Sequence, residues 1–392
     1  MFLKSMPRSV IILGFVSMFM DVSSEMIHSL LPVFMVSVLG ASALAVGVIE
    51  GIAEATASIT KIFSGVISDW IGKRKPLVLI GYGMAALTKP LFPLAHSITA
   101  IFVARFIDRI GKGIRGAPRD ALITDLVTKE QHGAAFGLRQ SMDTIGAFLG
   151  PILAMALMLL TTNNYRFVFW IAVVPAFVAV LCIFFGVQEP EHKSTGEKKP
   201  FPIQKSELVK LPVSFWVVVA FSSAFTLARF SEAFLLLRAS DVGLSATYMP
   251  MILIIMNIVY AGCAYPVGVL SDRIGKNGLL ASGIALLIVA DIMMAFGGSL
   301  FWIFAGAAVW GLHMGMTEGL LSALVADNAP RDLRGTAFGM FNLLKGIVAL
   351  VASSLAGVLW TTCGPAGTFI AGAIFAAVSL VGLLLMRGKH LK

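Results

Sequence analysis

Residues 65–73 read GVISDWIGK and residues 268–276 read GVLSDRIGK, identical at seven of nine positions. A second pair follows at nearly the same offset, GAAFG at 133–137 and GTAFG at 335–339, identical at four of five. Asp69 lies 64 residues before Gly133, and Asp272 lies 63 before Gly335. Two independent matches at one spacing are the mark of a duplication. The chain is therefore read as two similar halves in tandem, and what lies between the repeated segments decides what the halves are.

Between them the sequence is apolar. Of 392 residues, 58% are hydrophobic and 13% charged, where a soluble protein carries about 25% charged residues. So few charges cannot cover a water-soluble surface. Apolar stretches fall at about 9–37, 42–70, 76–96, 98–126, 133–161, 165–187, 212–238, 243–271, 278–297, 299–326, 335–362 and 365–387. Each is long enough for a membrane helix, which needs about 20 apolar residues. The fold class expected is an all-α integral membrane protein of twelve transmembrane helices in two pseudo-symmetric six-helix bundles. Composition also excludes a disordered chain and a secreted disulfide scaffold. Cys182, Cys263 and Cys363 are far apart, so neither a disulfide nor a zinc site is expected.

The net charge of +9 follows from topology. Lys73, Arg74 and Lys75 follow helix 2, Lys129 follows helix 4, five lysines follow helix 6, Arg273 and Lys276 follow helix 8, and Arg331 and Arg334 follow helix 10. The alternate connections carry almost none, Arg166 being the exception. Under the positive-inside rule both termini are cytoplasmic, and nucleic-acid binding has no support. Lys4 and Arg8 before the first stretch resemble a signal peptide, but Asp21 and Glu25 lie inside it and no small-residue cleavage site follows, so a retained helix is expected. The polar stretch 188–211 has a composition unable to build a core. Expected domains are 1–187, a linker at 188–211, and 212–392.

On these motifs the chain resembles the major facilitator superfamily over essentially its whole length. The segment GVISDWIGKRK at 65–75 looks like that superfamily's signature between helices 2 and 3. Gly65 admits a neighbouring helix, Asp69 ends helix 2, and Gly72 allows a turn that returns Lys73 and Arg74 towards it. The resemblance implies a gating role for Asp69, and its recurrence extends that to Asp272, Arg273 and Lys276. Parallel six-helix halves are the pattern of transporters that rock two bundles about a central site.

Helix 4 reads RFIDRIGKGIRGAPRD from 105 to 120, with Arg105, Asp108, Lys112, Arg115 and Arg119 on one helical face and Arg109 beside it. So many charges cannot face lipid, since each costs at least about 2.5 kcal/mol at the bilayer centre. Arg109, Lys112, Gly113 and Ala117 are similar to a family motif associated with coupling, with Lys112 in place of the usual Gln. Arg115 and Arg119 are read as reaching down to the interface. In helix 5, Gly146, Gly150 and Pro151 form GAFLGP, which resembles the family's antiporter element and predicts a hinge. It is absent from the second half, which has Val348, Ala352 and Ser353 at the aligned positions.

Asp21, Glu25, His28 and Pro32 share one face of helix 1, Asp21 roughly 16 Å into the membrane at 1.5 Å per residue. Glu50 and Glu54 share a face of helix 2. Burial disfavours a charged carboxylate and a nearby cation favours it, and the balance can poise an acid to bind and release protons. A static ion-pair network with Arg109 or Lys112 is the alternative. Further intramembrane polar residues are Asp143, Arg229, Glu232, Asp291, His313, Glu318 and Lys345. Asp143 and Lys345 occupy equivalent repeat positions with opposite charge, which would let them pair across the pseudo-twofold axis.

The expected function is a secondary transporter working by alternating access, exporting a small organic compound in exchange for protons. Alternatives are an anionic solute countered by Arg105, Arg109 and Lys112, a divalent cation held by Asp21, Glu25, His28 and His313, and, from another class, a non-transporting receptor. No phosphate loop, HExxH motif or serine elbow points to an enzyme. No cofactor or resident metal is expected, only a proton gradient as energy source. Expected partners are the solute, protons and membrane lipid, with a monomer in a bacterial inner membrane.

Overall fold

In a computed structural model, the residues described are 6–71, 73–128, 131–189, 210–330 and 333–386. Among them the protein is helical and carries no strand. The first half comprises α1 (Arg8–His28), α2 (Leu31–Ser37), α3 (Ala43–Ile71), α4 (Lys75–Thr88), α5 (Leu91–Leu94), α6 (Ile98–Leu126), α7 (His132–Leu160) and α8 (Tyr165–Gly186). The second half comprises α9 (Val213–Leu227), α10 (Ala233–Asp241), α11 (Pro250–Ile274), α12 (Lys276–Phe296), α13 (Leu300–Asn328) and α14 (Arg334–Met386).

Nine described stretches are long and apolar enough to cross a membrane. One of them, at 337–385, is two spans, because α14 is folded at Gly364. Gly364 has φ +75°, in the left-handed region where only glycine is unstrained, and Pro365 restarts the helix. The hydroxyl of Thr368 then donates to the carbonyl of Ala356 at 3.0 Å and ties the two arms together. The shorter apolar helix α9 contributes another span. The charge-rich α6 supplies the last of twelve, its acids and bases having kept it below the hydropathy expected of a lipid-facing helix. Local signals set the boundaries. Ser97 Oγ accepts from the Ala100 amide at 3.2 Å to start α6, and Asn164 Oδ1 accepts from the Phe167 amide at 3.1 Å to start α8, each satisfying an amide that the first turn leaves without a partner.

The seventh span is interrupted. Helix ends at Leu227 and resumes at Ala233, and residues 228–232 form an irregular break. The sequence predicts one continuous stretch at 212–238, since Arg229, Ser231 and Glu232 are flanked by apolar residues on both sides and do not by themselves mark a helix end.

The chain separates into two compact units, one of 1–34 and 56–201, the other of 35–55 and 202–392. The first part of α3 thus clusters with the second unit and the remainder with the first. Within the first unit α1 packs on α7 and α8, and α4 on α6. Within the second, α13 packs on α11 and α12, and α14 on α9 and α12. Where α3 meets α14, its backbone lies almost on the partner. A Cβ on Gly47 would sit 2.2 Å from the Ser353 carbonyl oxygen, and one on Gly51 would sit 2.9 Å from Leu350 Cα. Gly47 and Gly51 are a GxxxG pair that the sequence reading passed over. Small residues of this kind let membrane helices approach to backbone contact.

Candidate functional site

In the first unit the charges of α1, α4, α6 and α7 are gathered inside the bundle. Lys89, at the end of α4, is buried, and its Nζ lies 3.0 Å from Asp108 Oδ1 and 3.1 Å from Ser24 Oγ. Two helices are thereby tied to α1 through a lysine absent from the sequence-level candidates. Its signal was available, an ionisable residue within a hydrophobic stretch, but the adjoining Pro90 marks it as a helix end.

Arg115 and Arg119 do not reach down to the interface as expected. The Arg115 guanidinium stacks on the Tyr82 ring at 4.6 Å. Arg119 Nη1 donates to Ser17 Oγ at 2.5 Å and to Tyr82 Oη at 3.2 Å, and Nη2 lies 3.2 Å from Asp120 Oδ1. The reason is geometric. Tyr82 and Ser17 on neighbouring helices offer acceptors at the depth of Arg119, so the guanidinium is satisfied without leaving the bundle.

Asp120 also lies 3.8 Å from Arg139 Nε, and Arg139 Nη1 donates to Asp143 Oδ2 at 2.7 Å. A line of alternating charges therefore runs from α7 through α6 to α1 and α4. Asp143 has its ion partner one turn back in its own helix. Lys345, the other member of the anticipated pair, has Arg229, Glu318 and Glu54 as its neighbouring charges.

The helix 1 acids differ from these. Glu25 Oε2 lies 3.4 Å from His28 Nδ1. Asp21 is half-buried, and among the described residues no hydrogen bond or ion pair holds it; the charges acting on it are Asp143, Lys112, Arg115 and Glu25. Both acids sit directly against the GAFLGP glycines. A Cβ on Gly146 would lie 2.9 Å from Asp21 Cβ, and one on Gly150 would lie 2.7 Å from Glu25 Cβ. The two glycines are the places where α7 accommodates the two acidic turns of α1. Arg105 and Arg109 are buried in α6, and Lys112 is exposed.

The second unit holds its own polar cluster. Arg229, in the break of the seventh span, donates to Glu318 Oε1 at 2.7 Å. Tyr260 is hydrogen-bonded to the same carboxylate, and Lys345 and Glu54 complete the group of charges. Glu232 lies in the same break, and Glu50 is buried in the first part of α3. His313 is a packing residue, its Nδ1 3.0 Å from the Gly283 carbonyl and its ring edge-on to Phe225 and Trp310.

Of the motif residues, Gly65 lies where a Cβ would be 3.2 Å from that of Ala117, so α3 and α6 approach closely there. Lys73 and Arg273 are exposed. Gly72 and the side chains of Asp69 and Asp272 lie outside the described residues. What the structure adds is the partner of the basic turn. Arg74 is ion-paired with Asp125 at the end of α6, and its amide donates to Glu189. In the second unit Lys276 is paired with Asp327 at the end of α13. Asp125 and Asp327 belong to ALITD at 121–125 and ALVAD at 323–327, a third repeat match at the same offset that the sequence reading did not use.

Among the described residues, no three His, Cys, Asp or Glu side chains converge as a metal-holding group, and the three cysteines are free.

Such an arrangement, two helical units in the membrane with charges gathered inside and a repeated basic turn, defines the class as a membrane transporter fold. The model of the Major Facilitator Superfamily matches residues 13–353 and 239–391, and the chain belongs to that superfamily. It is 33% identical over 389 residues to an uncharacterized MFS-type transporter of Methanocaldococcus jannaschii, covering 98% of this chain and 95% of the relative. It is 24% identical to the multidrug resistance protein MdtH of Citrobacter koseri, covering 81% and 78%. Among solved structures it superposes on the nucleoside transporter NupG with TM-score 0.76 at 16% identity, covering 97% and 99%, a likeness of fold.

Proposed function

We propose that this protein is a proton-coupled antiporter that exports a small organic compound by alternating access, with Asp21 as its coupling acid. The observation that carries the reading is the contrast between Asp21 and its neighbours. Asp108, Asp120 and Asp143 are each bound to a cation, and Glu25 is bound to His28. Asp21 is half-buried without a bonded partner, within the field of Lys112 and Arg115. A carboxylate in that position can gain or lose a proton without breaking an ion pair, so its charge is available to bias a conformational equilibrium.

Asp21 also presses on the Gly146 turn of α7, so a change in its hydration or contacts is transmitted to the hinge formed by Gly146, Gly150 and Pro151. The Arg74–Asp125 and Lys276–Asp327 pairs act as latches on the cytoplasmic side. The likeness to MdtH supports an exported organic substrate.

A second reading is favoured by one observation. Inside the first unit the cations Lys89, Arg105, Arg109, Lys112, Arg115, Arg119 and Arg139 outnumber the acids, which suits an anionic solute.

Purified protein in liposomes, given an imposed pH gradient and a library of cationic, neutral and anionic compounds, tests both. Movement of an organic compound against the proton flux, lost in Asp21→Asn, supports the proposal. Gradient-driven transport undiminished in Asp21→Asn removes Asp21 from the mechanism. Movement of anions alone favours the second reading, and binding without movement favours a receptor.

A further inference from the structure

A carboxylate in the second unit is left without any function by the reading above. Asp291, in the last third of α12, is fully buried at 0% exposure, and among the described residues neither of its carboxylate oxygens has a hydrogen-bond partner. Its surroundings are apolar. A Cβ built on Gly372, in the second arm of α14, would lie 2.8 Å from Asp291 Oδ2 and 2.9 Å from the edge of the Phe230 ring. The acid and the ring edge thus border the same stretch of bare backbone at Gly372. Phe230 is itself held in an aromatic cluster, with ring centroids 5.6 Å from Phe234, 5.6 Å from Trp310 and 5.4 Å from Phe369.

Among the described residues, the charged and titratable groups on the elements around α12 lie against other partners or at the surface. On α13, His313 is bonded to the Gly283 carbonyl, Glu318 is bonded to Arg229, and Asp327 is bonded to Lys276 at the far end of α12. On α14, Lys345 has Arg229, Glu318 and Glu54 as its neighbouring charges. On α11, Tyr260 is bonded to Glu318, Cys263 lies by the carbonyls of Tyr260 and Leu312, and Arg273 is exposed. On α10, Arg238 donates to the carbonyls of Met294, Ala295 and Gly297, where it caps the end of α12, and it pairs with Asp241. None of them bonds Asp291.

An ionised carboxylate with no donor and no cation, surrounded by hydrocarbon, is so unfavourable that such a group carries its proton instead. Phe230, whose ring edge shares the Gly372 backbone with the acid, sits in the break of the seventh span, next to Ser231, whose amide donates to Ser353 Oγ at 3.1 Å. Breaks of this kind are where membrane transporters place ion and substrate sites and where the backbone is free to rearrange.

We propose that Asp291 is a second proton-binding site, a neutral acid while Phe230 covers it, which gives up its proton when the break at residues 228–232 moves the ring aside and admits water. The step breaks the carboxyl O–H bond and passes the proton to a water molecule, leaving a carboxylate that the entering water hydrates. Closure reverses it. The site is distinct from Asp21, and whether it binds a proton does not depend on whether transport is proton-driven.

The full-length protein in liposomes is titrated by infrared spectroscopy, reading the carbonyl stretch of a neutral carboxylic acid, with carbon-13-labelled aspartate to mark which bands are aspartic. The expected result is an aspartic acid band at neutral pH that is absent in Asp291→Asn, present in Asp21→Asn, and lost reversibly as pH rises while the protein stays folded. In Phe230→Ala, which uncovers the acid without altering it, the band is expected to vanish at lower pH than in the wild type. Absence of the band from the labelled wild type overturns the proposal. A band that persists until unfolding, or that is unmoved by Phe230→Ala, overturns the release step. Should Asp291→Asn fail to fold, the labelled wild type and Phe230→Ala still decide the matter. A protein with the band but without pH-driven transport keeps this site and loses the antiport function.

Discussion

Lys89 Nζ lies 3.0 Å from Asp108 Oδ1, and both side chains are almost fully withdrawn from the surface. Each is the counter-charge without which the other could not remain inside the bundle, because an unpaired buried ion costs more than the pair contributes. Lys89→Met is therefore expected to destabilise the protein by about 3–5 kcal/mol. The double variant Lys89→Met with Asp108→Leu is expected to recover most of that loss. Thermal unfolding in detergent measures both, and equal damage from the single and double variants would contradict a pairing role.

Asp21→Asn removes a charge without breaking an ion pair, so its melting temperature is expected to match the wild type while pH-gradient-driven transport is lost. Asp143→Asn is the contrasting case, because it weakens the 2.7 Å bond to Arg139. A charge-assisted hydrogen bond contributes about 1.5–3 kcal/mol, and a loss of that order is expected in unfolding experiments. A reversed pattern, with Asp21→Asn unstable and Asp143→Asn neutral, would mean that Asp21 serves structure.

Gly150→Ala places a methyl group 2.7 Å from Glu25 Cβ and 2.9 Å from the Val22 carbonyl oxygen. Overpacking of this kind costs about 1–3 kcal/mol. Gly137→Ala, in the same helix with nothing within 4 Å of the added carbon, is expected to be neutral or to stabilise by up to about 1 kcal/mol. Comparison of the two melting temperatures separates helix propensity from the contact with α1.

Asp125→Asn and Asp327→Asn each discharge one partner of a basic turn, Arg74 in the first unit and Lys276 in the second. Both pairs are partly exposed, so the stability cost is expected to stay below about 1 kcal/mol. If they latch the cytoplasmic side, each variant lowers the transport rate severalfold while substrate affinity changes little. A fall in affinity at unchanged maximal rate would count against latching.

Much of the fold is legible before any coordinates. The repeated GVxSDxIGK segment, the apolar stretches and the one-sided basic connections lead to a duplicated twelve-helix membrane protein, because membrane spans obey length and hydropathy constraints that are local in sequence. Two features of the backbone escape such reasoning. The break at 228–232 carries Arg229, Ser231 and Glu232, but polar residues within a span do not by themselves tell a break from an inward-facing helical turn. The GxxxG of Gly47 and Gly51 acquires meaning only beside Leu350 and Ser353, which lie some three hundred residues away.

For the site, the sequence alone determined which residues are too polar for lipid, and hence that Asp21, Glu25, Arg109, Lys112 and their neighbours face inward. That follows from the cost of a charge in hydrocarbon, which depends on residue type and depth and not on partners. Which charge neutralises which was decided by the tertiary structure. It joined Lys89 to Asp108, drew Arg119 to Ser17 and Tyr82, matched Arg74 with Asp125, and left Asp21 and Asp291 without a bonded partner among the described residues. Ion pairing is set by distances of a few ångströms between different helices, and helical periodicity fixes only the face of each helix, not what the packing of the bundle brings against it.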